Sequence, residues 1–389
     1  MIKRDISKEL LYSASKFPAV AVLGPRQSGK TTLTKATFKK YIYVSLEDID
    51  VREFAKSDPR GFLKKHENPH GIILDEIQNA PDILSYIQTH IDEHKKTGYF
   101  ILTGSQNFLL NQAITQTLAG RIAILTLLPL SIDELAKAKL LSDNVEKNIF
   151  YGGYPRIYDE AIPPTKWIPN YIRTYIERDV RQIQNVTDLT QFQTFMKLCS
   201  GRIGQLLNLT SLGNDCGISA NTVKKWISLL EASYIIFLLQ PHYKNFSKRL
   251  VKSPKLYFYD TGLACSLLGL KTPEQVSSHY LRGNLFESYI LSEFMKHYFN
   301  KGQLPPLHFW RDKYGHEIDC IIEQGATLTP IEIKAGQTIN KSYFENITYW
   351  NKLSGNNPEN SFIVYAGDDE QKRSKGHVLS WRQINKIFK

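Results

Sequence analysis

The chain has 389 residues, of which 42% are hydrophobic and 22% are charged, and its formal net charge is +11 at pH 7. This length exceeds what one ordinary hydrophobic core supports, so we expect two or three domains. The composition excludes a wholly disordered chain, and the absence of an apolar run of about 18 residues excludes a membrane-spanning helix. The basic charge favours an anionic partner, such as nucleic acid or a nucleotide.

The cysteines are far apart in the sequence and form no CxxC pair; they are Cys199, Cys216, Cys265 and Cys320. Their spacing excludes a standard zinc ribbon and provides no disulfide framework, which fits a reducing compartment. Residues 1–5 contain no apolar stretch before a cleavage site, which argues against a secretion signal. We therefore expect a cytoplasmic protein without membrane association.

The first motif that carries chemistry is a phosphate-binding loop. Residues 17–23 form an apolar stretch typical of a buried parallel strand, and residues 24–31 (GPRQSGKT) match GxxxxGK[ST] at every fixed position. A helix is predicted to start at residues 32–36, so backbone N–H groups and the positive end of a helix dipole face the phosphates. Lys30 would reach the β- and γ-phosphates, and the Thr31 hydroxyl would bind Mg²⁺. We predict an ATP site formed by Gly24, Pro25, Arg26, Gln27, Ser28, Gly29, Lys30, Thr31 and Thr32.

Two carboxylates, Asp75 and Glu76, end a second apolar strand that begins at residue 71. We expect Asp75 to hold Mg²⁺ through water and Glu76 to polarise the attacking water. A hydrolase needs such a carboxylate and a small-molecule kinase does not, so the pair favours hydrolysis of ATP.

A third strand, residues 99–103, runs into polar residues that could contact the γ-phosphate. Ser105 is the first choice for this contact, Gln106 and Asn107 are alternatives, and an ordinary polar turn is the remaining interpretation. Further strands are predicted at residues 41–48 and 121–127. Alternating strands and helices over about 130 residues predict a parallel sheet with helices on both faces.

Arg121 follows Leu118-Ala119-Gly120 at the start of the last of these strands. It is a candidate for neutralising the γ-phosphate, either in its own subunit or in a neighbour's. A structural arginine at the surface is the alternative.

These motifs together resemble a prokaryotic family of AAA+-type P-loop ATPases. The resemblance rests on residues 24–31, on residues 74–78 (LDEIQ), on residues 102–105 (LTGS), and on residues 119–121 (AGR) followed by residues 129–131 (PLS). Members of that family carry a C-terminal domain of unknown function with a restriction-endonuclease-like fold. The resemblance covers essentially the whole chain and implies ATP binding, but it defines no biological task.

The middle of the chain begins with a helix capped by Ser131 and a break at residues 152–155. Residues 167–184 have helical periodicity, and by analogy with related ATPases they would form a helical lid. Arg178 could sense nucleotide from this lid, or it could pair locally with Glu177 or Asp179.

Residues 189–260 have the order of a winged helix: a helix at 189–200, a short helix starting at 209, and a second helix at 220–230 capped by Ser219. Helical spacing places four residues toward the core, namely Val223, Trp226, Ile227 and Leu230. The same spacing places Asn221, Lys224 and Lys225 outward, where a recognition helix meets a groove.

Residues 234–239 and 255–259 would be the strands of the wing, with the basic turn 244–249 between them. DNA binding is one function of such a module, and protein docking is another.

The C-terminal segment contains the order of residues that is typical of PD-(D/E)xK nucleases. A helix from residue 282 to about 297 carries Glu287, a strand at 315–322 carries Asp319, and a strand at 330–334 carries Glu332 and Lys334. Asp319 and Glu332 would bind Mg²⁺ with support from Glu287, while Lys334 would position or activate the water. The pattern leaves open whether this domain cleaves nucleic acid or is catalytically silent.

We therefore predict an α/β chain with four parts: a P-loop ATPase core (1–135), a helical lid or linker (136–188), a winged helix (189–262) and a PD-(D/E)xK nuclease-like domain (263–389). The function favoured by these motifs is hydrolysis of ATP with Mg²⁺, coupled to binding or processing of DNA or another nucleic acid. The alternative is a nucleotide-switched regulatory or partner-binding protein whose nuclease-like domain is silent. A homo-oligomer or a protein partner is compatible with both.

Overall fold

The computed structural model describes residues 2–105, 114, 116–175, 189–242 and 252–388. The α-helices in these residues are α1 Ser7–Lys16, α2 Lys30–Thr37, α3 Ile49–Ser57, α4 Pro59–Lys65, α5 Ile83–His94, α6 Ile132–Lys137, α7 Val145–Tyr151, α8 Pro155–Asp159, α9 Pro164–Tyr175, α10 Leu189–Ser200, α11 Leu209–Cys216, α12 Ala220–Ala232, α13 Thr261–Leu267, α14 Pro273–Ser278, α15 Arg282–Phe299 and α16 Glu345–Ser354. The strands are β1 Ala19–Gly24, β2 Ile42–Ser45, β3 Ile72–Asp75, β4 Phe100–Ser105, β5 Ile122–Thr126, β6 Ile236–Pro241, β7 Lys255–Phe258, β8 Leu307–Arg311, β9 Glu317–Gln324, β10 Thr327–Lys334, β11 Phe362–Tyr365, β12 Gln371–Arg373 and β13 Gly376–Ser380.

The N-terminal sheet has the strand order β2-β3-β4-β1-β5, and every neighbouring pair is parallel. Strand β1 is buried at all its positions, because Leu23 packs with residues of α3, α4 and α5 on one face and Val22 packs with residues of α1 and α2 on the other. The predicted parallel sheet with helices on both faces is confirmed. Since β4 lies between β1 and β3, the polar residues at its carboxyl end stand between the phosphate-binding loop and Asp75.

The middle of the chain follows the predicted order of helices. The Ser131 side chain accepts a hydrogen bond from the Glu134 N–H, and the Glu134 side chain accepts one from the Ser131 N–H, which closes a capping box at the start of α6. Helix α11 ends at Gly217 in the left-handed conformation, and the Ser219 hydroxyl accepts the N–H of Thr222 at 3.1 Å to cap α12. Arg178 and the basic turn 244–249 lie outside the described residues.

The C-terminal sheet has the order β12-β13-β11-β10-β9-β8-β6-β7. Strand β6 pairs antiparallel with β7 and, near its end, parallel with β8, where Gln240 lies opposite His308. The hairpin that follows α12 is therefore part of the same sheet as the C-terminal strands.

This sheet corrects the idea of a separate unit ending at residue 262. One hydrophobic core joins Trp226 of α12, Phe258 of β7, Phe286 of α15 and Trp381 near the C-terminus. A second core, with Trp310 and residues of α16, covers the opposite face of the C-terminal strands. Residues on both sides of the predicted 262/263 boundary therefore share one sheet and one core, although the sequence patterns on the two sides differ.

Gly24 provides a test of how closely β1 and β5 approach at the phosphate-binding loop. A Cβ at this position would lie 2.2 Å from the carbonyl oxygen of Leu127, and its φ of +152° is one that L side chains rarely adopt. We expect Gly24→Ala to destabilise the chain by about 2 kcal/mol in urea unfolding, since both the contact and the backbone conformation become strained. Gly283→Ala is the control, because a Cβ at that exposed position of α15 meets no atom within 4 Å. Equal unfolding curves for the two variants would contradict this account.

Candidate functional site

The loop between β1 and α2 has the shape that its glycines permit. Gly29 precedes α2 in the left-handed region at φ +94°, so the first N–H groups of α2 open into a cleft. Of the predicted ATP-binding residues, those that line this cleft are Arg26, Gln27, Gly29, Lys30, Thr31 and Thr32. Gly24, Pro25 and Ser28 are buried and form the inner backbone of the loop.

Lys30 lies over the loop and is buried. Its ammonium donates hydrogen bonds to the carbonyl oxygens of Gly24 at 3.0 Å and Pro25 at 2.8 Å. These contacts hold the positive charge above the loop backbone, at the position from which it can reach phosphate oxygens.

Asp75 accepts hydrogen bonds from hydroxyl groups of three different elements. Thr31 at the start of α2 donates at 2.9 Å, Tyr43 of β2 donates at 2.7 Å, and Thr103 of β4 also donates. Burial raises the pKa of Tyr43, and so does the hydrogen bond to Asp75, so the phenol stays a donor. The predicted pair of Mg²⁺ ligands, Thr31 and Asp75, is thus brought together, and its hydroxyl and carboxylate oxygens are donors that suit this ion.

Glu76 directly follows Asp75 and has the left-handed backbone angles φ +57° and ψ +50°. Such a conformation is uncommon for a residue other than glycine and turns the side chain away from the strand direction. The side-chain amide of Gln78 donates to Glu76 Oε2, and the N–H of Ser105 lies 3.4 Å from the same oxygen. Burial alone would raise the pKa of Glu76, but the charges of Lys30 and Arg26 and the Gln78 hydrogen bond lower it below its ordinary value. Glu76 is therefore ionised at neutral pH.

Ser105 ends β4 and lies beside Glu76, and its contact with the γ-phosphate stays a prediction. Its hydroxyl accepts a hydrogen bond from Gln78 Nε2 at 3.1 Å and lies 3.4 Å from Glu76 Oε2. The alternatives Gln106 and Asn107 lie outside the described residues. The sequence analysis assigned no contact to Gln78, although this residue lies only two positions after Glu76. In the structure Gln78 belongs to a short 3₁₀ turn.

The cleft has a volume of about 830 Å³ and lies between the loop and the helices α8 and α9. Its helical wall includes Arg156, Lys166, Trp167 and Tyr171, so both positive charge and aromatic surface face the loop. Residues 167–174, the described part of the predicted helical lid that lines the cleft, thus lie across from Lys30.

Arg121 is not near this cleft in its own chain. Arg121 directly precedes β5. The carboxyl end of β5 pairs with Leu23 of β1, next to the phosphate-binding loop, so Arg121 lies at the opposite, amino-terminal edge of the parallel sheet. There its guanidinium makes two hydrogen bonds to Asp92, at 2.7 and 3.0 Å. The prediction that Arg121 neutralises the γ-phosphate in its own subunit is corrected, because strand direction carries it to the far edge. A role in a neighbouring subunit stays a prediction.

Arg4 is a buried residue that belongs to none of the sequence motifs. Its guanidinium donates to the carbonyl oxygen of Ser28 at 2.6 Å, to that of Leu128 at 2.5 Å, and to Glu134 Oε1 at 3.1 Å. It therefore connects the phosphate-binding loop with the residues that leave the N-terminal sheet.

The predicted nuclease-like residues also come together. One carboxylate oxygen each from Glu287, Glu317 and Asp319 lies within 4.8 Å of the others, and Lys334 Nζ is 3.2 Å from Asp319 Oδ2. Glu332 pairs with Lys334 and is buried, and burial raises its pKa well above the ordinary value. Glu317, which shares a strand face with Asp319, joins the three carboxylates that sequence reasoning assigned to Mg²⁺.

Lys255 of β7 was also missed, and it lies inside this cluster of acids. Its ammonium is 3.1 Å from Glu287 Oε1 and forms an ion pair with Glu317. Burial alone would lower the pKa of Lys255, but the neighbouring carboxylates, Glu287 first, raise it above its ordinary value. Burial raises the pKa of Glu287 to about 7, against the opposing effect of Lys255. The cluster therefore combines acids with a buried cation from another segment.

Helix α12 has the predicted two faces. Val223, Trp226, Ile227 and Leu230 are buried in the core. Asn221, Lys224 and Lys225 are exposed. The helix therefore presents two lysines to solvent.

Comparisons with known proteins match three separate segments of the chain. Residues 16–136 match a family model described as an AAA domain, while residues 142–274 and 282–384 match two domains of unknown function, DUF8612 and DUF4143. An uncharacterised protein of Mycobacterium tuberculosis is 25% identical over 342 residues, which is 86% of this chain and 74% of that protein. The AAA match supports an AAA+-type ATPase with a P-loop α/β fold.

Solved structures with similar folds have low sequence identity. The Walker-type ATPase PABY2304 of Pyrococcus abyssi is 16% identical, covers 69% of this chain and 96% of its own, and has a TM-score of 0.45. The RuvB Holliday junction branch migration motor of Thermotoga maritima is 16% identical, covers 69% and 95%, and has a TM-score of 0.33. Within the described residues, no helix has the length and apolar character required to cross a membrane.

Arg4 yields a test that is independent of catalysis. Arg4→Ala leaves the Glu134 carboxylate buried without its guanidinium partner, and we expect a loss of about 3 kcal/mol in urea unfolding. We also expect weaker binding of Mg·ATP in calorimetric titration, because the Ser28 carbonyl loses its donor. Lys3→Ala removes an exposed charge next in sequence and should change neither quantity. If both variants behave like the unaltered chain, Arg4 does not support the loop.

Proposed function

We propose that the protein hydrolyses ATP with Mg²⁺ and couples this reaction to binding of nucleic acid. The observation that carries the proposal is the position of Glu76, an ionised carboxylate held by Gln78 and Ser105 beside the Lys30 loop. A loop that only binds nucleotide does not need this carboxylate. An ATPase needs it to orient the attacking water.

The residues around the cleft then have separate roles in the proposed reaction. Lys30 and the N–H groups at the start of α2 bind the phosphates, and Thr31 with Asp75 would hold Mg²⁺. When bound, Mg²⁺ neutralises charge on the β- and γ-phosphates. The hydrogen bonds described for Glu76 reach Oε2, so we assign the contact with water to Oε1. Ser105 lies next to Glu76 and would contact the γ-phosphate.

Coupling to nucleic acid is supported by the way the segments meet. Helix α9 forms one wall of the ATP cleft and packs against α13, which directly follows β7. Strand β7 belongs to the hairpin after α12, and we interpret α10–α12 with this hairpin as a winged helix. The exposed Lys224 and Lys225 then face the backbone of a duplex, to which the net charge of +11 also attracts the protein.

A second function, a nucleotide-switched regulator that binds a protein partner, is favoured by a different contact. Glu293 Oε2 of α15 accepts the N–H of Ile132 at 2.8 Å, and Lys296 donates to the carbonyl oxygen of Leu130 at 2.9 Å. These bonds join the C-terminal segment to the ATPase sheet without any requirement for DNA.

Stimulation of ATP turnover by duplex DNA would favour the first function, and turnover insensitive to DNA would favour the second.

Glu76→Gln tests the hydrolytic assignment. We expect this variant to bind Mg·ATP like the unaltered chain while its turnover falls by about a hundredfold or more, because the amide cannot accept the proton of the attacking water. Phosphate release reports turnover, and calorimetric titration reports binding. Lys30→Ala should instead lose the binding itself.

Glu93→Gln makes the same chemical change at an exposed position of α5 and serves as the control. Its turnover should match that of the unaltered chain. Turnover by Glu76→Gln at the rate of this control would remove Glu76 from the mechanism.

The double substitution Lys224→Ala and Lys225→Ala tests the nucleic-acid surface. If each lysine neutralises one phosphate, affinity for a labelled duplex falls, and the slope of log affinity against log salt becomes shallower by about 2. Fluorescence anisotropy at several salt concentrations measures both effects.

Lys64→Ala with Lys65→Ala removes the same charge from the exposed side of α4, on the ATPase domain, and is the matched control. The two double variants have equal net charge. Equal affinity and equal salt slope for both would show that α12 is not the contact surface.

A further inference from the structure

The side chain of Lys255 is buried, which is uncommon for a lysine. It is 3% exposed, and its strand partner in the hairpin is Leu239 of β6. Tyr257, two residues along the same face of β7, donates its hydroxyl to the Glu287 oxygen that Lys255 also contacts. Backbone pairing and a neighbouring hydrogen bond therefore fix the ammonium group among the acids.

Four of the carboxylate oxygens that a divalent ion could use already accept hydrogen bonds or pair with cations. Lys255 contacts Glu287 Oε1 and Glu317 Oε1, and Arg311 lies 3.3 Å from Glu317 Oε2. Asp319 Oδ2 accepts the N–H of Ile333 at 2.7 Å and a hydrogen bond from Lys334 at 3.2 Å.

The charges of the cluster nearly cancel without any metal ion. The acids are Glu287, Glu317, Asp319 and Glu332, and the bases are Lys255, Lys334 and Arg311. A group of four carboxylates and three cations carries a formal charge of −1. A divalent ion would turn this near-neutral, largely buried group into a positive one.

We propose that the Lys255 ammonium is the resident cation of this cluster and takes the place of a divalent metal ion between Glu287, Glu317 and Asp319. Mg²⁺ would approach its oxygen ligands to about 2.1 Å, and an ammonium bound to the same oxygens leaves neither the space nor the electrostatic attraction for it. The predicted assignment of Glu287, Asp319 and Glu332 to Mg²⁺ therefore does not fit the residues present. The cluster holds α15 and β7 against β9 and β10.

Binding of Mn²⁺, followed by electron paramagnetic resonance of the unbound ion, tests the proposal. Every chain in this experiment is full-length and nucleotide-free and carries Asp75→Asn, which removes the predicted Mg²⁺ ligand of the ATP site; Glu76 is present in all of them and therefore cancels in each comparison. We expect the chain with no further substitution and its Asp319→Asn derivative to give the same titration. Mn²⁺ binding that disappears on Asp319→Asn would overturn the proposal.

Replacement of Lys255 by an uncharged residue should allow the acidic cluster to bind a divalent metal ion. Lys255→Met is expected to gain binding of about one Mn²⁺ per chain and to lose it again when Asp319→Asn is added, whereas Lys255→Arg should gain none. A folded Lys255→Met chain, judged by circular dichroism, that binds no more Mn²⁺ than Lys255→Arg would contradict the proposal. Should Lys255→Met fail to fold, the proposal is tested by the comparison between the chain that keeps Lys255 and its Asp319→Asn derivative. Neither comparison depends on ATP hydrolysis.

Discussion

The ion pair between Arg4 and Glu134 anchors the phosphate-binding loop to the segment that leaves the N-terminal sheet. Both side chains are buried, and Glu134 also accepts the N–H groups of Asp5 and Ser131. A buried pair of this kind adds little net stability relative to apolar residues, but removal of either partner leaves a buried charge. The pair therefore fixes one arrangement, in which the Ser28 carbonyl of the loop and the start of α6 are held by the same guanidinium.

The parts of the site that the sequence predicts are those in which neighbouring residues act together. The loop with Lys30 and Thr31 is contiguous, and Asp75 with Glu76 ends a strand whose apolar run is plain, so local patterns place them correctly. Arg121 was misplaced because a motif does not state at which end of a strand a residue will lie relative to the nucleotide. Arg4 and Lys255 were missed because each acts on residues far along the chain, and only the packed structure brings them there.

The two acidic sites differ in the charge of their hydrogen-bond donors. Asp75 is held by the neutral hydroxyls of Thr31, Tyr43 and Thr103, which order the carboxylate and leave its negative charge for a cation. The C-terminal carboxylates are held by ammonium and guanidinium groups, chiefly those of Lys255 and Lys334, which consume that charge. Under the two proposals above, similar acids would thus serve a metal-dependent reaction in one place and the cohesion of a sheet in the other.

Helix α15 contacts both the C-terminal acidic cluster and the segment that leaves the ATPase sheet. Glu287 lies in the acidic cluster, while Glu293 and Lys296 bind residues 130–132 at the exit of the ATPase sheet. Six residues separate Glu287 from Glu293, which is about 9 Å along a helix. Residues 285–294 of this helix are all buried, so one packed helix joins the acidic cluster to residues 130–132. Because Arg4 donates to the carbonyl oxygens of Ser28 and Leu128, a continuous series of buried polar contacts runs from the phosphate-binding loop through this exit to α15 and the C-terminal sheet.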